Sequence, residues 1–163
     1  AGLLAIGDVF AGTMDGCAKL LADGIGREDK DAWCTEVVRA HRSLKKPIPG
    51  FGHPFHKPDD PRPPRLFQVA AEAGAAGHHI ALLRQLGTTI DREFGKHLTI
   101  NATGAIAALL LEIGMPTGIM RGIAVVSRSA GLAAHLVEEQ RTHTAREIWR
   151  IVEEHIPYED PPR

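Results

Sequence analysis

The stretch GFGHPFHKPDDPR, residues 50–62, gathers ionisable groups into a segment that cannot be helical. Gly50 and Gly52 let a backbone turn sharply and approach a ligand closely. His53 can donate to a carbonyl oxygen, or protonate it, near neutral pH. Lys57 and Arg62 are donors to phosphate or carboxylate, and arginine can grip a carboxylate with two bonds. One histidine and two cations, with no strong general base in obvious partnership, suit an anionic ligand that bears a carbonyl. A surface loop stiffened by prolines would carry the same letters without a ligand. His53 and His56 also have the spacing of a metal pair, but no third ligand falls at motif spacing, so no metal is expected.

The elements around this stretch read as helices. Residues 3–22 place Leu4, Val9, Met14, Ala18 and Leu21 at helical spacing. Gly7, Gly12 and Gly16 interrupt them and imply close backbone approach to another helix. Residues 28–44 put Trp33, Val37, Val38 and Leu44 on one face, and Pro47 and Pro49 end that helix. Residues 47–64 are rich in proline and form the one long irregular segment; such a loop in a compact domain is functional or disordered. Helix resumes over 65–72 and again over 76–94, which carries Ile80, Leu83, Leu86 and Ile90. Residues 101–113 are strongly apolar. A long helix follows over 116–140, with Pro116 in its first turn. Ile148, Ile151 and Val152 mark a last one over 144–154, ahead of a frayed tail. No alternating strand pattern and no repeat occurs.

Composition narrows the function classes. A formal net charge of −1 without a long run of like charge, and only 5 % aromatic residues, argue against a nucleic-acid surface. No apolar run reaches the roughly 18 residues of a membrane span, so no membrane partner is expected. Cys17 and Cys34 fit neither a zinc site nor a disulfide framework, which favours a reducing, cytoplasmic compartment. The chain begins at Ala1 with helix-like text and no signal-peptide pattern, and reads as part of a longer protein.

GFGH, a lysine four residues after its histidine and DPR ending nine after it together resemble the citrate synthase family. Asn101 to Gly114-Met115-Pro116, followed by AVVSRSAGLAAHLVEEQ, looks like that family's two late helices. The flavour is that of the citryl-CoA lyase branch, including the lyase part of ATP-citrate lyase, and the likeness runs from Gly2 to about Ile151. It implies an all-α, citrate synthase-like fold with an interdomain cleft, in a homodimer. Residues 1–23 would be a large-domain helix at the dimer interface. Residues 24–140 would be the small domain, with a CoA- and carboxylate-binding loop over 47–65. Residues 141–163 would return to the large domain.

The likeness also implies site residues. His53 falls on the histidine that hydrogen-bonds the oxaloacetate carbonyl, or the citryl hydroxyl in reverse. Lys57 falls near the CoA phosphates, and the backbone of Gly50, Phe51 and Gly52 against the CoA adenine. Arg62 and Arg128 fall on arginines that bind substrate carboxylates. Arg146 is the candidate for a further arginine that reaches in from a neighbouring subunit. Two positions depart from the family. Ala11 stands where a histidine donates to the thioester oxygen, and Thr103 stands where an aspartate removes the methyl proton of acetyl-CoA. The groups that polarise the ketone are kept, and the groups that stabilise the enolate are lost.

Three readings follow: a citryl-CoA lyase-like enzyme, related chemistry on a different acyl-CoA, and a non-catalytic homologue that binds CoA or carboxylate. The enzyme readings are favoured, and both expected ligands are small molecules, a CoA thioester and a carboxylate. An all-α interaction module without a ligand stands apart. Thr103 or Asp15 would help at the thioester end, although Asp15 also reads as a residue of a solvated helix face. Asn101 and Thr103 would equally cap the apolar helix. His78 and His79 start a surface helix, and His135 is a packed or hydrogen-bonded histidine. Trp33 and Trp149 are core or dimer contacts, and the two cysteines are small buried hydrophobes.

Overall fold

A computed structural model describes residues 13–159. Seven α-helices and one 3-10 turn make up the described residues, with no strand among them. The helices are α1 (Thr13–Ile25), α2 (Lys30–Ser43), α3 (Arg62–Glu72), α4 (His78–Phe94), α5 (Ala102–Glu112), α6 (Met120–Thr142) and α7 (Ala145–His155). The 3-10 turn, Thr117–Ile119, leads into α6, and Pro116 stands just before it in an extended conformation rather than inside the helix. The chain divides into two compact units, residues 1–124 and 125–163.

The first unit is built around α5. Its buried positions are the small residues Gly104, Ala105, Ala107 and Ala108, so α1, α3 and α4 can all pack close to its axis. Met14, Ala18 and Leu21 of α1 and Leu83, Leu86 and Ile90 of α4 form the core at the expected helical spacing. α2 lies on α4 and contributes Trp33, Cys34 and Val38, whereas Leu44, just past its end, is exposed. Burial pushes the Cys17 thiol up to about 12 and the Cys34 thiol up to about 11, so both are packing residues.

Helix ends are set by specific groups. Asp29 caps α2 by accepting from Ala32 N at 2.9 Å. α4 starts without a capping side chain of its own. Glu112, from the far end of α5, accepts from the backbone N–H groups of Gly77, His79 and Ile80 instead. α3 starts three residues earlier than the sequence predicts, because Pro63 and Pro64 sit in its first turn, where a missing N–H costs nothing.

Glycines mark the close approaches. Gly16 meets the ring of Pro49 in the loop, not another helix, and Gly24 meets Trp33. Gly7, Gly12, Leu4 and Val9 lie outside the described residues. Asp15 is not on a solvated face. It is half-buried and accepts from Arg121 N at 2.9 Å, capping the start of α6.

In the second unit, α6 continues and α7 follows a turn at His143, whose φ is 52°. Glu139 reaches forward to accept from the N–H groups of Thr144 and Ala145, each at 3.0 Å. Leu136, Val137, Ile148, Trp149 and Val152 are exposed, so Trp149 is not packed into a core within the second unit. His135 is also exposed and bonds Glu138 at 3.2 Å. No helix among the described residues is long and apolar enough to cross a membrane.

The tightest contact joins α5 to the loop. A methyl group on Gly104 would lie 2.6 Å from the Gly50 carbonyl oxygen and 2.8 Å from its Cα. Both atoms are backbone and cannot swing aside. Gly104→Ala is therefore expected to destabilise the protein by about 1–3 kcal/mol. Gly118→Ala, where nothing lies within 4 Å of the added carbon, should cost no more than about 0.5 kcal/mol in the same denaturant titration.

Candidate active site

The loop between α2 and α3 is held to the segment before α5 by backbone and side-chain bonds. Phe51 pairs with Ile100 in an isolated antiparallel bridge. Gly52 N donates to Thr99 O at 2.8 Å, and Asn101 N donates to Gly50 O at 3.0 Å. Gly50 and Gly52 have φ values of 91° and 78°, which a side chain would oppose. The Phe51 ring turns inward against Gly87, and the residue is buried.

Asn101 completes the clamp. Its Nδ2 donates to Gly52 O at 3.0 Å, while its Oδ1 accepts from Gly104 N at 3.0 Å and from the Thr103 hydroxyl at 2.7 Å. One side chain thus caps α5 and fixes the loop. The Thr103 hydroxyl spends its proton on Asn101 and accepts from Thr13 at 3.0 Å. A hydroxyl held this way is a weak base. Ala11 lies outside the described residues.

His53 has a fixed orientation. Its Nδ1 accepts from the backbone N–H groups of Phe55 at 3.1 Å and His56 at 3.0 Å. Two donors on Nδ1 put the ring proton on Nε2, so His53 presents an N–H to whatever it meets. The His56 ring stands beside it, with centroids 4.4 Å apart.

Asp60 governs Arg62. The carboxylate is fully buried and accepts from Arg62 Nε at 2.9 Å and Nη2 at 2.7 Å. It also accepts from the backbone N–H groups of Arg62 and Ala102, and its own N–H donates to Thr99 Oγ1. The guanidinium is thereby held with its Nη1 side turned from Asp60, the side on which a ligand carboxylate can bind. Arg62's hydrogen bonds hold the Asp60 carboxyl down at about 2. Farther along, His97 bonds Asp91 at 2.5 Å and Asp59 at 3.0 Å, and these carboxylates, Asp91 first, raise its pKa.

His53, His56 and Asp60 bring ligand-type atoms within 4.8 Å of one another, so Asp60 is the third group that motif spacing does not reveal. The donor set is nevertheless arranged for hydrogen bonding. A ligating imidazole donates its second N–H to an acceptor, whereas Nδ1 of His53 faces two donors. Asp60 is already committed to Arg62.

The structure thus brings Gly50, Gly52, His53, Arg62 and Thr103 onto one clamped assembly, with Lys57 exposed on the same loop. Arg128 on α6 and Arg146 on α7 belong to the second unit, where both are exposed. Sequence reasoning missed Asp60, Thr99 and the clamping role of Asn101. The one signal was the Asp two residues before Arg62, a spacing that permits a bidentate pair across a proline turn.

The Asp60–Arg62 pair predicts an acid limb in stability. The carboxyl ionises near 2 when folded, against about 3.9 when unfolded. Its contribution of about 2 kcal/mol is present above pH about 4 and is lost as pH falls towards 2. Asp60→Asn should flatten the stability profile over that interval in urea unfolding.

Residues 6–151 match the family model of the citrate synthase C-terminal domain. ATP-citrate synthase subunit 1 of Sordaria macrospora is 26 % identical over 159 residues, covering 88 % of this chain and 23 % of the relative. ATP-citrate synthase beta chain protein 1 of Arabidopsis thaliana is 28 % identical over 158 residues, covering 86 % of this chain and 25 % of the relative. The chain therefore spans about a quarter of the length of these curated relatives. Among solved structures, citryl-CoA lyase from Hydrogenobacter thermophilus matches with a TM-score of 0.79 at 32 % identity, over 100 % of this chain and 63 % of that one. ATP citrate lyase from Methanothrix soehngenii, in complex with citrate and coenzyme A, has a TM-score of 0.79 at 22 % identity, over 99 % of this chain and 28 % of that one. At that identity the second likeness is one of fold. With its helical architecture recurring in both lyases and the family model spanning residues 6–151, the chain belongs to the citrate synthase family.

Proposed function

We propose that this chain forms the CoA- and carboxylate-binding part of a citryl-CoA lyase-like enzyme. It would cleave citryl-CoA to acetyl-CoA and oxaloacetate, or run the related condensation. The observation that carries the reading is the pairing on one loop of an oriented His53 Nε2–H with an Arg62 held by Asp60. Both are donors fixed before a ligand arrives, which is what stabilising a developing oxyanion beside a carboxylate requires.

In this reading His53 donates to the oxygen on the carbon that becomes the oxaloacetate ketone. Arg62 holds a neighbouring carboxylate. Lys57 meets the CoA phosphates, and the backbone of Gly50 to Gly52 lies along the adenine. Arg146 serves a partner subunit's site in a homodimer. Thr103 and Ala11 supply little at the thioester end.

One observation favours a second reading. The Thr103 hydroxyl is tied as a donor to Asn101, so the position that carries an aspartate elsewhere in the family is not a base here. A homologue that binds CoA and carboxylates without turnover, or an enzyme for a different acyl-CoA, would tolerate this.

The test is citryl-CoA cleavage by the full-length protein, following acetyl-CoA and oxaloacetate. Turnover is expected, with kcat/KM lowered by about 10²–10³ in His53→Ala. Arg62→Ala should act chiefly on KM and on citrate affinity. A folded protein that binds CoA without cleaving citryl-CoA would leave the second reading.

A further inference from the structure

We propose that His97 is a pH-dependent latch on the loop, tying Asp59 to Asp91 of α4 while its ring carries both protons and releasing Asp59 when it loses one. For its effect on ligand binding the inference rests on the reading above, in which this loop meets the CoA phosphates.

The geometry requires a charged ring. Nδ1 of His97 lies 2.5 Å from Asp91 Oδ2, and Nε2 lies 3.0 Å from Asp59 Oδ1. Both nitrogens must donate to make both bonds, and only the imidazolium has two N–H groups. A neutral ring donates to one carboxylate and turns a lone pair towards the other. Asp91 is the partner that is kept. It is the closer and the more sheltered, with 35 % of its side chain exposed against 72 % for Asp59. Its Oδ1 is also fixed by Leu98 N at 2.9 Å. Loss of a proton therefore falls on the Asp59 bond. The charged groups that face the ring are Asp91 from α4 and Asp59 from the loop, with Lys96 adjacent in the chain.

His97 extends the row of residues that clamps the loop. Thr99 and Asn101 hold Gly50, Gly52 and the Asp60 N–H through backbone, amide and hydroxyl groups, none of which titrates near neutral pH. The tie from His97 does. Asp59 follows Lys57 by two residues, so its release loosens the arm that carries this exposed lysine, while Asp60 keeps Arg62 in place. Asp91 first, and then Asp59, raise the His97 pKa above its ordinary value of about 6.5. The tie is thus complete below that value and is lost as pH rises through the higher folded one.

The experiment follows amide hydrogen exchange of the loop peptide over 54–60 in the full-length protein, as a protection factor, from about pH 6 to about pH 9. Wild type is compared with Asp59→Ala, which removes the tie, and with Asp59→Asn, whose amide accepts from the charged ring and donates to the neutral one. Asp59 is exposed, so neither change touches the core. Wild-type protection is expected to fall by about two- to fivefold across the range, the scale of an exposed ion pair. It should be low throughout in Asp59→Ala and high throughout in Asp59→Asn. CoA affinity, measured by calorimetry at the same pH values, should fall more steeply with pH in wild type than in Asp59→Ala, by a similar factor. A flat wild-type exchange profile, or an Asp59→Ala protein that keeps the wild-type fall, overturns the latch. CoA binding with the same pH dependence in wild type and Asp59→Ala overturns its bearing on the site. A protein that binds no CoA removes the function proposed above, and the exchange measurement still decides the latch.

Discussion

Two backbones meet at Gly50 and Gly104 with no room between them for a methyl group. This approach brings the first turn of α5 against the loop, and the other contacts of the assembly depend on it. With the helix so placed, Asn101 can cap α5 with one side-chain atom and hold Gly52 O with another. Thr99 can accept the Asp60 N–H, and Ala102 N can reach the Asp60 carboxylate. A loop dense in proline has few internal hydrogen bonds to hold its shape. Its rigidity is borrowed from α5, whose small buried residues let it lie within the core of the first unit.

The resulting site is uneven in its electrostatics. Nε2–H of His53, the Nη1 side of Arg62 and the exposed Lys57 all present positive ends. The buried carboxylate of Asp60 is spent on holding a donor rather than on accepting a proton. Fixed donors in a partly dry setting suit anions and oxygens that gain negative charge, and they need no rearrangement when the ligand arrives. A burying cost for Asp60 is offset by the charge-assisted bonds from Arg62, which also lower its pKa. That cost makes sense where the orientation of the arginine matters more than the net stability of the pair.

Helical spacing made most of the first unit legible. Met14, Ala18 and Leu21, and likewise Ile80, Leu83, Leu86 and Ile90, are buried where a 3.6-residue period puts them. The start of α3 was hidden because Pro63 and Pro64 read as breakers, although a first turn accepts both. In α7 the period identified an apolar face but not its burial, since periodicity says nothing about what covers a face. At the candidate site, type and spacing singled out His53 and Arg62 as candidates. The tautomer of His53 was not, because it depends on where two N–H groups of its own loop point. Glu112 capping a helix far away in sequence, and Gly104 meeting Gly50, were equally out of reach: both are contacts between residues that share no local pattern.

On the proposed lyase reading, Thr103 would bear on the reaction in a less obvious way than its chemistry suggests. Condensation begins by removing a proton from a thioester methyl group, while cleavage ends by returning one, so a missing carboxylate looks more damaging to the first. The two directions nevertheless share one transition state for that proton transfer, and any loss of stabilisation there slows both by the same factor. On the proposed reading, a hydroxyl tied to Asn101 in place of an aspartate therefore could not turn a synthase into a lyase. What it can do is shift where the protein invests its organisation. On the lyase reading, the hydroxy-acid end is held by an oriented histidine and an arginine fixed by a buried carboxylate, and the thioester end is left to small residues and solvent. An enzyme built this way would gain its rate from the carbon–carbon step, where charge leaves the substrate oxygen as the carbonyl forms, and the loop around His53 would be the part of the molecule that controls that oxygen.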